Sequence, residues 1–281
     1  CWEPAVDQLC KLGPKLVKEL LIDRLKVDFD KDANSELDLT SEGAHSQPRI
    51  IHSKDMTGRT IQNSVIKAVK QNKNIEVLAQ HTLVDLLTLS HHSKNSLDIY
   101  EKPACFGAMV LNNETGKVFP IFASKTILAT GGLGQIYIHT TNPPEATGDG
   151  IAAAWRAGAR CFNLQYIQFH PTTFYGERER FLISESLRGE GAVLKDKDGK
   201  EFMNKYHTLG SLAPRDIVAR AIHHTLLESK HPCVYLDISF KDGEWLRNRF
   251  PTIYQHCFDA GVDITREMIP VVPAAHYFCG G

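Results

Sequence analysis

Several short stretches of this chain carry side chains at spacings that could do chemistry. In Ser184-Glu185-Ser186-Leu187-Arg188-Gly189-Glu190-Gly191, an acid and a guanidinium stand three residues apart. On a helical turn that spacing puts Glu185 and Arg188 on one face. With the Ser184 hydroxyl beside them they could hold a polar substrate and move protons; a surface ion pair before a turn would use the same residues. Gln168-Phe169-His170-Pro171-Thr172 sets a histidine against a proline. Its imidazole can donate to a carboxylate, or it serves only as a loop histidine. In Ala213-Pro214-Arg215-Asp216 the arginine falls at a helix start, where its charge opposes the macrodipole. An anion opposite it would relieve that misfit, and so would a nearby acid. Pro273-Ala274-Ala275-His276 runs through Tyr277, Phe278 and Cys279 into Gly280-Gly281, which could bring a ring nitrogen to a ligand while the backbone passes close by. Thr126-Ile127-Leu128-Ala129-Thr130 runs into Gly131-Gly132, and Gly148-Asp149-Gly150 follows. Glycines after a strand allow close approach to a bulky ligand, and a following helix N-terminus favours an anion. Two ordinary turns would look the same.

The elements that position these groups follow from periodicity. Residues 3–24 read as helical with a break at Gly13-Pro14, and residues 28–55 as polar and irregular. Thr57 is placed to cap a helix over 58–71, with Ile61, Val65, Ile66 and Val69 on one face. Ile75 to Leu78 and Leu83 to Leu87 read as strands. Residues 90–104 read as a polar insertion, and Phe106 to Leu111 and Val118 to Phe122 flank a hairpin turn. Residues 126–130 read as a buried-type strand. Asp149 is placed at the cap of a helix over 151–158. A helix over 214–229 has Pro214 in its first turn and a favourably ordered Asp216–Arg220 pair, and His231-Pro232 ends it.

Hydrophobic residues make up 42% of the 281-residue chain and charged residues 23%, the balance of a globular protein that buries a core. A formal net charge of −1 offers no basic field for nucleic acid. No run approaches the ~18–20 apolar residues of a membrane helix, so no membrane partner is expected. The seven cysteines are odd in number and include no C-x-x-C pair, so neither a disulfide framework nor a zinc site is expected. A reducing cytoplasm fits that usage. Cys1-Trp2-Glu3-Pro4 is neither a signal peptide nor a methionine start, and the chain is expected to begin inside something longer.

Taken in order, ATGG, GDG-IAAAWRAGA, QFHPT, SESLRGEG, LAPRDIVARAI and PAAHYFCGG resemble the succinate dehydrogenase/fumarate reductase flavoprotein family. The resemblance covers nearly the whole chain, most clearly residues 126–281. Within the family it is most similar to the aspartate oxidases, on Thr140-Thr141-Asn142-Pro143, Trp155, the PAAHYFCGG run, and Glu42 in Ser41-Glu42-Gly43-Ala44-His45-Ser46. A carboxylate at Glu42 can pair with a substrate amine but repels a plain dicarboxylate.

The resemblance implies FAD as cofactor and hydride transfer from L-aspartate to the flavin, giving iminoaspartate for quinolinate and NAD synthesis. Oxygen or fumarate would reoxidise the flavin, and quinolinate synthase would be a partner. It implies that His170, Ser184, Glu185 and His276 bind substrate, with Glu42 near the ammonium. Ser184 stands where the family usually has threonine and keeps the hydroxyl. Arg215 matches the family's acid–base arginine, with Glu185 and Arg188 as its proton-relay partners. For aspartate oxidation its role would be mainly electrostatic, because an arginine holds its proton tightly. Gly131 and Gly132, with Thr130 before them, match the backbone that passes FAD. Asp149 matches a residue beside it, and Val84 a position whose backbone meets the adenine.

The family's G-x-G-x-x-G fingerprint, which holds the FAD pyrophosphate, is absent from residues 1–281. The chain alone is therefore expected to bind FAD poorly and not to turn over. The implied fold is an α/β FAD-binding domain lacking its first βαβ unit, with an inserted α+β capping domain. Residues 1–163 would belong to the FAD-binding domain, 164–275 to the cap, and 276–281 would return to the FAD-binding domain. Substrate would lie where cap closure excludes water. The alternatives are the flavoprotein subunit of a fumarate reductase or succinate dehydrogenase and, as a non-enzyme, a truncated binding or scaffold module.

Overall fold

The computed structural model describes residues 2–41, 45–176 and 180–281. In chain order the elements are α1 (Glu3–Leu16), β1 (Leu39–Thr40), β2 (Ile50–Ile51), α2 (Thr57–Gln71), β3 (His81–Thr88) and α3 (Leu89–His92). Then come β4 (Cys105–Asn112), β5 (Val118–Phe122), α4 (Asp149–Arg156), β6 (Ile167–Phe174), α5 (Ser186–Gly189) and β7 (Val193–Lys195). The last are α6 (Arg215–Ser229), β8 (Val234–Asp237), α7 (Gly243–Arg249), α8 (Pro251–Asp259) and β9 (Ile269–Phe278). The chain passes back and forth between two compact units. The first comprises residues 1–77, 183–214 and 235–269, and the second 78–182, 215–234 and 270–281.

In the first unit the chain does not break at Gly13-Pro14. α1 runs through Pro14 to Leu16 and continues over Val17–Arg24 as a wider helix. Proline removes one i→i−4 bond, and a wider turn is a common way for a helix to absorb such a defect. Thr57 is the first residue of α2 and Met56 occupies the cap. The Thr57 hydroxyl instead accepts from the Ser53 N–H at 3.1 Å. β1 and β2 form a two-residue antiparallel ladder within the stretch that reads as irregular. Just beyond it the buried His52 bridges Asp30 and Asp38, at 2.9 and 3.3 Å. The core gathers Ile183, Leu187, Leu194, Met203, Leu236, Leu246, Phe250, Ile253 and Ile264, all essentially without solvent contact. β7 and β8 pair antiparallel. α8 begins at Pro251, and the Asp55 carboxylate accepts from the N–H groups of Thr252 and Ile253 at 2.8 and 3.0 Å. An acid from nearly two hundred residues upstream thus satisfies that helix's free donors and complements its dipole.

In the second unit β3, β4 and β5 form an antiparallel sheet, and β4 and β5 make the expected hairpin. The Asn112 side chain accepts from Glu114 and Thr115 N–H in its turn. β6 and β9 pair antiparallel, and α6 packs on β6. α6 begins at Arg215, with Pro214 just ahead of it, and carries the Asp216–Arg220 pair at 2.6 Å. Two strand readings fail. Residues 75–78 and 126–130 belong to no strand among the described residues, and Ile127 is 89% exposed. A run of β-formers sets a local preference for extended backbone; a ladder also needs a neighbour to bond.

Candidate functional site

The first unit positions the acid and guanidinium of the SESLRGEG stretch. The spacing does produce a helical turn, the short α5. Glu185 Oε1 and Arg188 Nη2 stand 2.9 Å apart, with side-chain exposures of 3% and 0%. Arg188 Nη1 also donates to the Ser211 carbonyl at 3.0 Å, and the Ser211 hydroxyl accepts from Leu194 N–H. A guanidinium so enclosed is tolerable when a carboxylate balances its charge, as Glu185 does, and the Ser211 carbonyl accepts from Nη1. The Ser184 hydroxyl lies 2.7 Å from that of Ser186. Ser41 approaches this stretch, since a Cβ at Gly189 would stand 2.9 Å from the Ser41 carbonyl oxygen. Glu42, the next residue, lies outside the described residues.

The second unit gathers His170, His276 and Arg215. The β6–β9 ladder is interrupted twice. Gln168 faces Tyr277 while Phe169 faces Ala275, which leaves His276 as an extra residue on β9. His170 faces Ala274 while Thr173 faces Val272, so two residues of β6 oppose Pro273 alone. Pro171 and Pro273 have no N–H to give a ladder, and bulges are where sheets accept such residues. The bulges bring the rings of His170 and His276 to 5.2 Å, edge to face. His170 is 1% exposed, with Nδ1 at 3.1 Å from the Thr172 carbonyl oxygen and 3.3 Å from its nitrogen. His276 is half-buried, and its Nδ1 lies 2.7 Å from the Thr141 hydroxyl. Arg215, at the start of α6, donates from Nη1 to Gln168 Oε1 at 3.1 Å. That bond fixes its head on the strand that carries His170.

The glycine stretches belong to the same unit. Gly148, not Asp149, occupies the cap of α4, with φ +81°, and Asp149 is the first helical residue. A left-handed cap suits glycine, which displaces the acid by one position. Gly148 N–H donates to the Gly132 carbonyl at 3.1 Å, tying the two turns together. Gly131 has φ +78°, with open space where a side chain would stand. A Cβ at Gly150 would collide with the Thr130 side chain, and one at Gly132 would reach Phe278, two residues past His276. This bare, exposed backbone beside a helix N-terminus fits a large anionic cofactor. Thr130, Gly131, Gly132 and Asp149 are therefore assembled together. Val84 sits apart in β3, at a bulge between Leu83 and Asp85. Arg156 of α4 donates to the Val84 carbonyl at 3.0 Å and to Asp85 at 3.3 Å.

Sequence reasoning gave no chemical part to Gln168, Thr141, Asn142, Arg156 or Ser211. Gln168 stands in QFHPT, Arg156 in GDG-IAAAWRAGA, and Thr141 and Asn142 in TTNP, whereas Ser211 lies in none of the motifs. Among the described residues no helix is long and apolar enough to cross a membrane, and no group of three or more His, Cys, Asp or Glu is placed to hold a metal.

The chain matches the FAD binding domain family over residues 1–281. It is 48% identical to the L-aspartate oxidase of Pseudomonas aeruginosa over 252 residues, which is 89% of this chain and 46% of the relative. It is 42% identical to that of Yersinia pestis, across 100% of this chain and 52% of the relative. The chain thus spans about half the length of the curated relatives it matches. Among solved structures, quinol fumarate reductase FrdA of E. coli superposes with a TM-score of 0.87 at 26% identity, over 100% of this chain and 48% of that one. Mycobacterium smegmatis Sdh1 superposes with a TM-score of 0.70 at 32% identity, over 96% of this chain and 46% of that one.

Proposed function

Because this chain belongs to the FAD binding domain family, with the fold of the succinate dehydrogenase and fumarate reductase flavoproteins, we propose that it carries substrate-site residues of an L-aspartate oxidase. The reaction removes a hydride from the Cα of L-aspartate and a proton from its nitrogen, and leaves iminoaspartate. The observation that carries this reading is the twice-bulged pairing of β6 with β9. It sets His170 and His276 5.2 Å apart on a ladder whose β9 end meets the Gly132 turn.

Bound FAD supplies the hydride acceptor. Thr130, Gly131 and Gly132 would let it pass against bare backbone, with Asp149 beside it and the Val84 backbone at the adenine. His170 and His276 would donate to the substrate carboxylates, with the Ser184 hydroxyl and Glu185 completing the polar contacts. Arg215 supplies positive charge opposite a substrate carboxylate. Its Gln168 bond holds the guanidinium in one orientation, and a guanidinium so held can meet a carboxylate with parallel donors. Glu185 and Arg188 form the proton-handling pair. Glu42 would face the substrate ammonium, as the resemblance implies.

Residues 1–163 are read as part of an FAD-binding domain without its first βαβ unit, 164–275 as a capping domain, and 276–281 as the return. The chain alone would hold FAD weakly and not turn over, since residues 1–281 contain no G-x-G-x-x-G. Oxygen or fumarate would reoxidise the flavin in the cytoplasm. Iminoaspartate would pass to quinolinate formation for NAD synthesis, with quinolinate synthase as the partner. A second reading, a fumarate reductase or succinate dehydrogenase flavoprotein, is favoured by the TM-score of 0.87 with E. coli FrdA.

Anaerobic flavin bleaching in the complete FAD-loaded protein separates the two. Bleaching by L-aspartate and not by succinate is the expected result. Bleaching by succinate alone moves the protein to the dehydrogenase branch, and bleaching by neither removes the substrate assignment.

A further inference from the structure

We infer that Thr141 fixes the tautomer of His276, holding it as a neutral ring with its proton on Nε2. This deepens the proposed function and rests on its reading of His276 as a substrate ligand. Residues 139–142 run beside β9 and bond to it at consecutive positions. Ala275 N–H donates to the His139 carbonyl at 2.8 Å, and Thr141 N–H donates to the Ala275 carbonyl at 3.0 Å. The Thr140 hydroxyl donates to that same carbonyl at 3.1 Å, and the Asn142 amide donates to the His276 carbonyl at 2.7 Å.

The Thr141 hydroxyl has one proton and two acceptors in reach, His276 Nδ1 at 2.7 Å and the Ala275 carbonyl at 3.4 Å. A carbonyl oxygen offers two lone pairs. Those of Ala275 are already engaged, at shorter distance, by Thr141 N–H and the Thr140 hydroxyl. The proton therefore goes to Nδ1, which must be unprotonated to accept it. A tautomer is assigned from such a network, and this one leaves Nε2 as the protonated nitrogen. His276 then donates to a carboxylate without carrying charge. With the His170 ring 5.2 Å away, two imidazolium rings would repel each other. Thr141 is thus a positioning residue, and its alcohol does for His276 what a carboxylate or carbonyl does for many catalytic histidines, with the proton reversed.

The test measures kcat and KM for L-aspartate against pH in the complete FAD-loaded protein, with rates normalised to bound flavin. Thr141→Val keeps the shape and removes the hydroxyl. KM is expected to rise about tenfold at pH 8, the scale of one lost hydrogen bond to a charged group, with kcat within about twofold of the parent on that same scale. At pH 6 the rise should shrink, because a protonated ring carries Nε2–H without help. Thr141→Ser should restore the parent profile. Where Thr141→Val does not fold, Thr141→Ala is measured in its place. An unchanged KM, a rise of equal size at both pH values, or a Thr141→Ser that behaves like Thr141→Val overturns the inference. His276→Ala separates the two levels. If it leaves KM unchanged, the reading of His276 as substrate ligand fails, and the tautomer inference with it. If it raises KM while Thr141→Val does not, only the tautomer inference fails.

Discussion

Glu185 and Arg188 meet at 2.9 Å, one helical turn apart, with both side chains shut away from solvent. Neutralising one partner leaves the other as an uncompensated buried charge, which costs about 3–5 kcal/mol. Glu185→Gln is therefore expected to lower stability by that amount in denaturant titration and to abolish turnover. Replacing both, as Glu185→Leu with Arg188→Met, should recover part of the stability but none of the activity. Recovery of neither stability nor activity would mean that the Arg188 bond to the Ser211 carbonyl matters more than the ion pair.

Under the proposed function, Glu42 is the acid that faces the substrate ammonium. Glu42→Gln should raise KM for L-aspartate severalfold, the worth of one charge contact of at most about 1 kcal/mol, while leaving fumarate binding nearly unchanged. Equal losses for the two ligands would count against an ammonium-facing acid.

Gly150 has no room for a side chain beside Thr130. Gly150→Val must push the start of α4 away from the Gly131-Gly132 turn. Purified protein should then carry well under half the parent's flavin, read from the ratio of visible to ultraviolet absorbance, while its far-ultraviolet circular dichroism changes little. Full flavin content would separate this helix start from the cofactor.

His139 accepts from Arg180, whose Nε and Nη2 both lie 3.2 Å from its Nδ1. Burial first, and then the Arg180 charge, push its pKa below the ordinary 6.5, against a smaller opposing bond at Ile138. The unfolded chain therefore takes up a proton more readily than the folded one. The stability from this group is present above pH 6.5 and is lost as pH falls through 6.5 toward the folded value. His139→Gln, which keeps an acceptor but does not titrate, should show a smaller fall in Tm between pH 7.5 and 5.5 than the parent.

The parts of the fold that depend on neighbouring residues could be read from the sequence. α2, α4, α6 and the β4–β5 hairpin all stand where periodicity and turn residues put them, and so does the Glu185–Arg188 turn. The failures share a cause. Residues 126–130 have the composition of a buried strand, yet burial depends on a ladder partner that composition does not name. Asp149 looks like a cap, but the left-handed backbone at Gly148 takes that position. The resemblance puts His170 and His276 at one substrate, but periodicity and spacing do not show how their rings meet, because that depends on which residues of β6 and β9 fall out of register. Pro171 and Pro273 were the available signal, since neither can donate within a ladder.

The two bulges in that ladder offset one another. β9 has one residue too many at His276, β6 has one too many at Pro171-Thr172, and the strands are back in step by Thr173. Only Phe169 and His170 are paired out of phase. The site is thus encoded by the number of residues as well as by their identity. Shortening one strand alone would slide an arm of the sheet and turn its side chains over. Shortening both would heal the ladder and remove the offset that sets the two rings together. A chimaera between relatives must therefore exchange residues 168–173 and 272–277 as one unit, and descent with change in this family should tolerate substitutions there far better than insertions or deletions.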